Sequence, residues 1–168
     1  SDISNWDVSN GKTFQGMFNG ASAFNQEIGD WDVSNAENME SMLDGAVLFN
    51  KDIGNWNVSS VLNFREMFDD AKSFNQNISS WKVNKGTDFT GMFKGAEVFN
   101  QDIGSWDVSS GEEFGDMFYR AVNFNSDISN WDVSSGSKFQ YMFMYSEKFN
   151  QDISSWDVSN GSDFSEMF

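Results

Sequence analysis

The chain contains no cysteine, no histidine and no proline, and only 10 lysines and arginines against 26 aspartates and glutamates in 168 residues. Each absence closes a class of function. Without Cys there is no disulfide framework and no thiol nucleophile, and without Cys or His no zinc site. The missing His also removes the side chain most often used as a general base near neutral pH. A formal net charge of −16 argues against nucleic acid or an anionic membrane surface as partner, because both need the opposite sign. No apolar run approaches the ~20 residues of a transmembrane segment, and the first residues do not read as a signal peptide.

Aromatic residues are what the chain has in excess. Eighteen Phe, seven Trp and three Tyr bring the aromatic share to 17%, too much for a disordered acidic chain, so a packed core is expected. Their placement sets the architecture. Trp6, Trp31, Trp56, Trp81, Trp106, Trp131 and Trp156 fall every 25 residues, an Ile lies three before each (Ile3 to Ile153), and a Val two after (Val8 to Val158). Met17, Met42, Met67, Met92, Met117, Met142 and Met167 keep the same phase. Seven copies without insertion or deletion are the mark of a solenoid, each unit stacking on its neighbours.

Two periodicities sit inside one unit. Trp106-Asp107-Val108-Ser109 alternates apolar and polar, which predicts a short strand with Trp and Val facing inward. Phe114, Met117, Phe118, Ala121 and Phe124 then follow the spacing of an amphipathic helix of about three turns. Ser109 or Ser110 caps it in this reading, and Glu112 and Glu113 suit its first turn. The expected fold is therefore a right-handed α/β solenoid, leucine-rich-repeat-like, with one short parallel strand plus one short helix per 25-residue repeat. A β-solenoid lacking helices is the alternative. Residues 1–168 form a single array of about seven repeats. Phe168 stops in mid-unit and polar caps are missing from both ends, so the array reads as an excerpt of a longer one, and the missing signal peptide carries no weight.

The segment Phe149-Asn150-Gln151-Asp152-Ile153-Ser154-Ser155-Trp156-Asp157-Val158-Ser159, with the Met-Phe pair further along each unit, resembles the 25-residue repeat of BspA-like surface proteins and mycoplasma-type lipoproteins, a domain of unknown function. The resemblance spans the chain. Met39 and Leu43 replace two Phe in the second copy, Asn57 and Lys82 replace the Asp after Trp, and Gly11, Gly86, Gly111, Gly136 and Gly161 stand where relatives often carry Val. The resemblance implies an exported, multi-repeat protein at the cell surface or outside the cell, with adhesion as its role.

The recurring polar positions supply the candidate sites. Asn25, Asn50, Asn75, Asn100, Asn125 and Asn150 predict a buried Asn ladder that satisfies turn backbone groups. Asp7, Asp32, Asp107, Asp132 and Asp157 project from the open strand face as a candidate binding row, with carboxylates ~4.8 Å apart if the strands pair in register. A second acidic row runs through Asp2, Glu27, Asp52, Asp102, Asp127 and Asp152. Carboxylates in rows suit Ca2+, which prefers several oxygen ligands, and Asp102, Asp107, Asp127 and Asp132 are the candidate calcium ligands. The competing reading is a solvated anionic face, since no D-x-D-x-D-G loop and no G-G-x-G-x-D nonapeptide occurs. No other cofactor is expected.

One feature breaks the repeat. Tyr119 and Met144 stand where Asn19, Asp44, Asp69 and Lys94 stand in other copies, and Tyr141 and Tyr145 lie four apart, on one outward helix face in this reading. These four residues form a candidate aromatic patch for a partner or for lateral packing; drift between copies is the other reading. N-x-S sequons at Asn57, Asn77 and Asn160 match chance in so Asn- and Ser-rich a chain. Identical acidic rows single out no catalytic pair. The expected function is thus a non-enzymatic cell-surface or extracellular adhesion and binding module, meeting a protein or glycan on another cell or matrix. The alternative is a structural spacer, or a filament that self-associates end to end through uncapped repeats.

Overall fold

The computed structural model describes residues 2–168. The chain is a stack of rungs, one per 25-residue repeat. Six complete rungs begin at Trp6, Trp31, Trp56, Trp81, Trp106 and Trp131, and a partial one begins at Trp156. Among the described residues none is helical and none lies in an extended strand. The regular backbone pairing is a column of single parallel bridges, Thr13 to Asn38, on to Asn63, Asp88, Glu113, Lys138 and Asp163. Two expectations are corrected. The segment at residues 114–124 is a run of turns, not a helix, and the segment at 106–109 is not a strand, since pairing occurs seven residues after each Trp instead.

The backbone hydrogen bonds explain how both could be misread. In the rung starting at Trp106, the N–H groups of Met117, Tyr119, Ala121 and Phe124 donate to carbonyls three residues back, closing successive turns. The N–H groups between them, of Phe114, Asp116, Phe118 and Arg120, donate instead to Lys138, Gln140, Met142 and Met144 in the next rung, at 2.9–3.0 Å. From 114 to 121 the odd-numbered donors close turns within the rung and the even-numbered ones tie it to its neighbour. Two residues per rung must adopt a left-handed backbone to sustain this alternation. They are glycine at Gly16, Gly20, Gly45, Gly91 and Gly95 (φ 61–69°), and a side-chain-bearing residue elsewhere, such as Glu66, Asp70, Asp116 and Arg120 (φ 50–56°).

The apolar spacing of 3, 4, 7 and 10 still points every large side chain inward, because turns of three residues keep roughly the helical phase. Val33, Val58, Val83, Val108 and Val133 are buried beside the Ile and Met columns. Aromatic rings stack from rung to rung: Phe64–Phe89–Phe114–Phe139–Phe164 with centroids 5.3–5.6 Å apart, and Phe68–Phe93–Phe118–Phe143 at 5.5–5.8 Å. The Trp rings stack in the same way, Trp56–Trp81–Trp106–Trp131–Trp156 lying 6.4–6.5 Å apart with planes within 8°. These spacings exclude a helix in each rung. Packed helices need 8–10 Å between axes, whereas paired extended segments sit about 4.8 Å apart and let rings stay in contact.

From Trp31 onward each tryptophan also carries a polar function. The indole N–H of Trp106 donates to the carbonyl of Ile78 in the preceding rung at 3.1 Å. Trp31, Trp56, Trp81, Trp131 and Trp156 make the same contact with Ile3, Ile28, Ile53, Ile103 and Ile128 at 3.0–3.1 Å. A buried indole N–H needs such a partner, so the Ile–Trp pair is both a packing unit and a clamp between rungs.

Far-UV circular dichroism is expected to lack the paired helical minima and to be dominated by coupling among the stacked indoles; a helical spectrum would contradict the rung structure. Trp106→Phe keeps a ring in the column but removes its donor, and a loss of about 1–2 kcal/mol in urea denaturation is expected.

Candidate binding face

The acidic rows are built into turns. In Asp-Val-Ser, the Asp132 Oδ1 accepts the backbone N–H of Ser134 at 3.0 Å and its hydroxyl at 2.6 Å. Asp7, Asp32, Asp107 and Asp157 accept the backbone N–H of Ser9, Ser34, Ser109 and Ser159 in the same way at 3.0–3.2 Å. The second row behaves alike: Asp2, Asp52, Asp102, Asp127 and Asp152 each accept the N–H two residues on. These are Asx turns, in which the side chain takes the place of a backbone acceptor. Asn57 and Asn77 do the same job without a charge.

The carboxyl pKa values follow from those bonds. The Ser134 hydroxyl and N–H hold Asp132 below the ordinary carboxylate range, as Ser9 and Ser34 hold Asp7 and Asp32. Neighbours in a row oppose this, Asp7 pushing Asp32 up and Asp132 pushing Asp157 up. Among the described residues no three acidic side chains gather closely enough to hold a metal ion. The structure gives Asp102, Asp107, Asp127 and Asp132 separate turn bonds and does not bring them together around one point.

The Asn ladder exists, but on the surface. Asn50, Asn75, Asn100, Asn125 and Asn150 each donate their backbone N–H to the side-chain oxygen of the Asn one rung earlier, at 2.8–3.0 Å. The burial expected for it is corrected: Asn50, Asn100 and Asn150 are exposed and Asn75 and Asn125 half-buried, because they run along the outside of the bend between Phe and Ile. Of the sequon asparagines, Asn160 binds the Ser134 carbonyl across rungs at 2.7 Å, and the other two cap turns.

The four aromatic-patch residues come together on one face, though not on a helix. Tyr141 and Tyr145 occupy the two left-handed positions of their rung (φ 57° and 62°), where the rungs starting at Trp6 and Trp81 hold glycine. Tyr119 meets Tyr145 edge to face, with centroids 5.7 Å apart. The Arg120 guanidinium lies over both rings, 5.2 Å and 5.6 Å from their centroids. Among the described residues Arg120 has no carboxylate in ion-pair range. Grooves flank this cluster on either side. One, of about 410 Å³, is lined by Lys94, Asp116, Tyr119, Tyr141, Met144 and Glu166. The other, of about 440 Å³, includes Asp70, Glu97, Arg120, Tyr145 and Glu147.

A charged column leads up to the patch. Asn19 donates to Asp44 at 2.9 Å, and the Lys94 ammonium reaches Asp69 at 2.8 Å. Burial pushes the Asp69 carboxyl up to about 6, against the pull of Lys94 and with the repulsion of Asp44 and Asp70. Asp116 is raised as well, first by burial, with Lys94 and Arg65 drawing it down. A carboxyl raised on folding weakens the fold as pH rises, here between about 4 and about 6. Sequence reasoning passed over Asp69, Asp116 and Arg120, because a helix would have dispersed residues that the rung ladder aligns.

A family profile described as Mycoplasma protein of unknown function, DUF285, matches residues 1–102 and again residues 81–168. No curated protein and no solved structure matches the chain. Among the described residues no helix is long and apolar enough to cross a membrane.

The acidic turns and the strained tyrosines each make a prediction. At Asp7, Asp32, Asp132 and Asp157 the ionised form is the one the fold favours, so that stabilisation is complete above about pH 5 and is lost as pH falls through the depressed folded values. Urea midpoints should therefore drop steeply in acid; Asp132→Asn should match the parent at pH 7 while Asp132→Ala falls below it. A bulky residue in the left-handed region costs about 1–2 kcal/mol, partly offset by the flexibility of glycine in the unfolded chain. Tyr145→Gly is expected to raise stability by up to about 1 kcal/mol in the same assay.

Proposed function

The chain belongs to the DUF285 family, and on that footing we propose that it is a non-enzymatic binding module, displayed at a cell surface or outside the cell, that adheres through the turn-ladder face of its rungs. We read the stack as a helix-free solenoid. The observation that carries the functional reading is where the rungs differ. Ile, Trp, Val, Met and the last Phe of each unit recur in every copy, and they form the core and the clamps. Eight columns, starting at Lys12, Thr13, Gln15, Gly16, Asn19, Gly20, Ser22 and Ala23, change type from copy to copy. The first six of these belong to the ladder segment or its edge, where the backbone bonds between rungs recur whatever the side chain.

An invariant scaffold carrying one varied face is the usual plan of repeat proteins that bind through an extended surface. The net charge of −16 favours partners of opposite sign and speeds their encounter. The resemblance to surface-exposed repeat proteins supports the location, and a protein or glycan on another cell or matrix is the partner class.

The test replaces the ladder-face residues of the last three rungs by those of the first, for example Tyr119→Asn, Arg120→Gly, Tyr141→Gly and Tyr145→Gly. The parent immobilised on a surface should retain cells or matrix-coated beads, and the variant should lose most of that retention with a denaturation midpoint no lower than the parent's. Equal retention by the two proteins would remove the face from the binding role.

A further inference from the structure

We propose that the groove lined by Tyr119, Tyr141 and Met144 together with Asp116 and Glu166 is a receptor for an arginine or lysine side chain of a basic protein segment. The inference rests on the binding-module reading and names the partner class for that same face.

Three observations converge on this groove. Its walls are two tyrosine rings and a thioether, and its anionic rim is Asp116 and Glu166. Aromatic faces attract cations through the ring quadrupole, and the carboxylates supply charge and hydrogen-bond acceptors for an ammonium or a guanidinium. Lys94, the one cation lining the groove, is already engaged by Asp69 at 2.8 Å and leaves the rim acidic. The patch also shows how it holds such a group, because Arg120 is held against the Tyr119 and Tyr145 rings with no carboxylate partner. An incoming side chain would make on the Tyr141 side the contact that Arg120 makes on the other.

The ladder register brings the groove residues together. Asp116, Tyr141 and Glu166 occupy one left-handed column in consecutive rungs, as Gly16, Ser41, Glu66 and Gly91 do in the others, and all three line the groove. Charge complementarity singles out the basic partner. The groove opens on a chain of net charge −16, which draws a basic segment towards it and repels an acidic one.

The test uses a ten-residue Arg-Gly peptide, with its Glu-Gly counterpart as control, against the chain carrying 13C-methyl methionine. Met144 reports on the groove, and Met17, five rungs away, reports on the diffuse field. Saturable shifts of the Met144 methyl with the Arg peptide, and none at Met17, are expected. The double variant Tyr119→Asn with Tyr141→Gly uses residues the chain accepts at those columns and leaves net charge unchanged; it should bind at least tenfold more weakly. Asp116→Asn with Glu166→Gln keeps the rings and should weaken binding similarly. Equal affinity in the aromatic double variant, or shifts spread along the whole chain, would overturn the site in favour of unspecific attraction. Shifts at Met144 with neutral oligosaccharides but not with the Arg peptide would overturn it in favour of a glycan. Failure here with face-dependent adhesion intact refutes only the basic partner; loss of both refutes the binding-module reading as well.

Discussion

The separation between rungs is the constraint from which the rest follows. Phe and Trp rings stack in columns with centroids about 5–6.5 Å apart, and that requires successive rungs to stay close all round the core, tied by backbone bonds along the ladder and by side-chain bonds to the backbone elsewhere. A rung cannot then contain an α-helix on any side, and its N–H groups must be divided between closing turns and bridging to the neighbour. The indole of each Trp, the side chain of each ladder Asn and the Asx-turn carboxylates all serve the same end. They satisfy backbone groups that so tight a coil leaves without partners.

That division separates scaffold from display. Positions whose side chains enter the core or clamp a carbonyl tolerate little change, which is why the Ile, Trp and Met columns are uniform. On the ladder face the backbone bonds repeat from rung to rung, whereas side-chain contacts such as Asn19 to Asp44 and Lys94 to Asp69 differ between rungs, so the outward side chains can vary without breaking the ladder. Asp69, Lys94, Asp116, Arg120 and the three tyrosines all stand on that face, and the aromatic, cationic and partly buried acidic groups meet there. The face is chemically distinct from the acidic rows, whose carboxylates are engaged in their own turns.

Two misreadings have the same physical origin. The helix expected at residues 114–124 rested on apolar spacing, and three-residue turns share that spacing closely enough to mislead. The contrary signal was present: glycines at Gly16, Gly20, Gly45, Gly91 and Gly95 fall inside the supposed helices, where each is unfavourable, and mark the left-handed positions. Likewise the Asp-x-Ser triplets that follow Trp and looked like an exposed strand face are the signature of Asx turns. The burial expected of the Asn column failed because a ladder along the outside of a bend satisfies backbone donors while still facing solvent.

The amino-acid sequence by itself determined the repeat, its register and the identity of the core, because a 25-residue period of Ile, Trp, Val, Met and Phe admits only a stack with like residues over like. It also carried the tyrosine cluster, as the place where the pattern breaks. What only the tertiary structure decided is how each backbone group is satisfied, and therefore which residues meet on the outer face. Half the ladder donors find their acceptors 24 residues away, a partnership that no local pattern encodes. That long-range pairing places Arg120 across Tyr119 and Tyr145, and Asp116 in one groove with Tyr141.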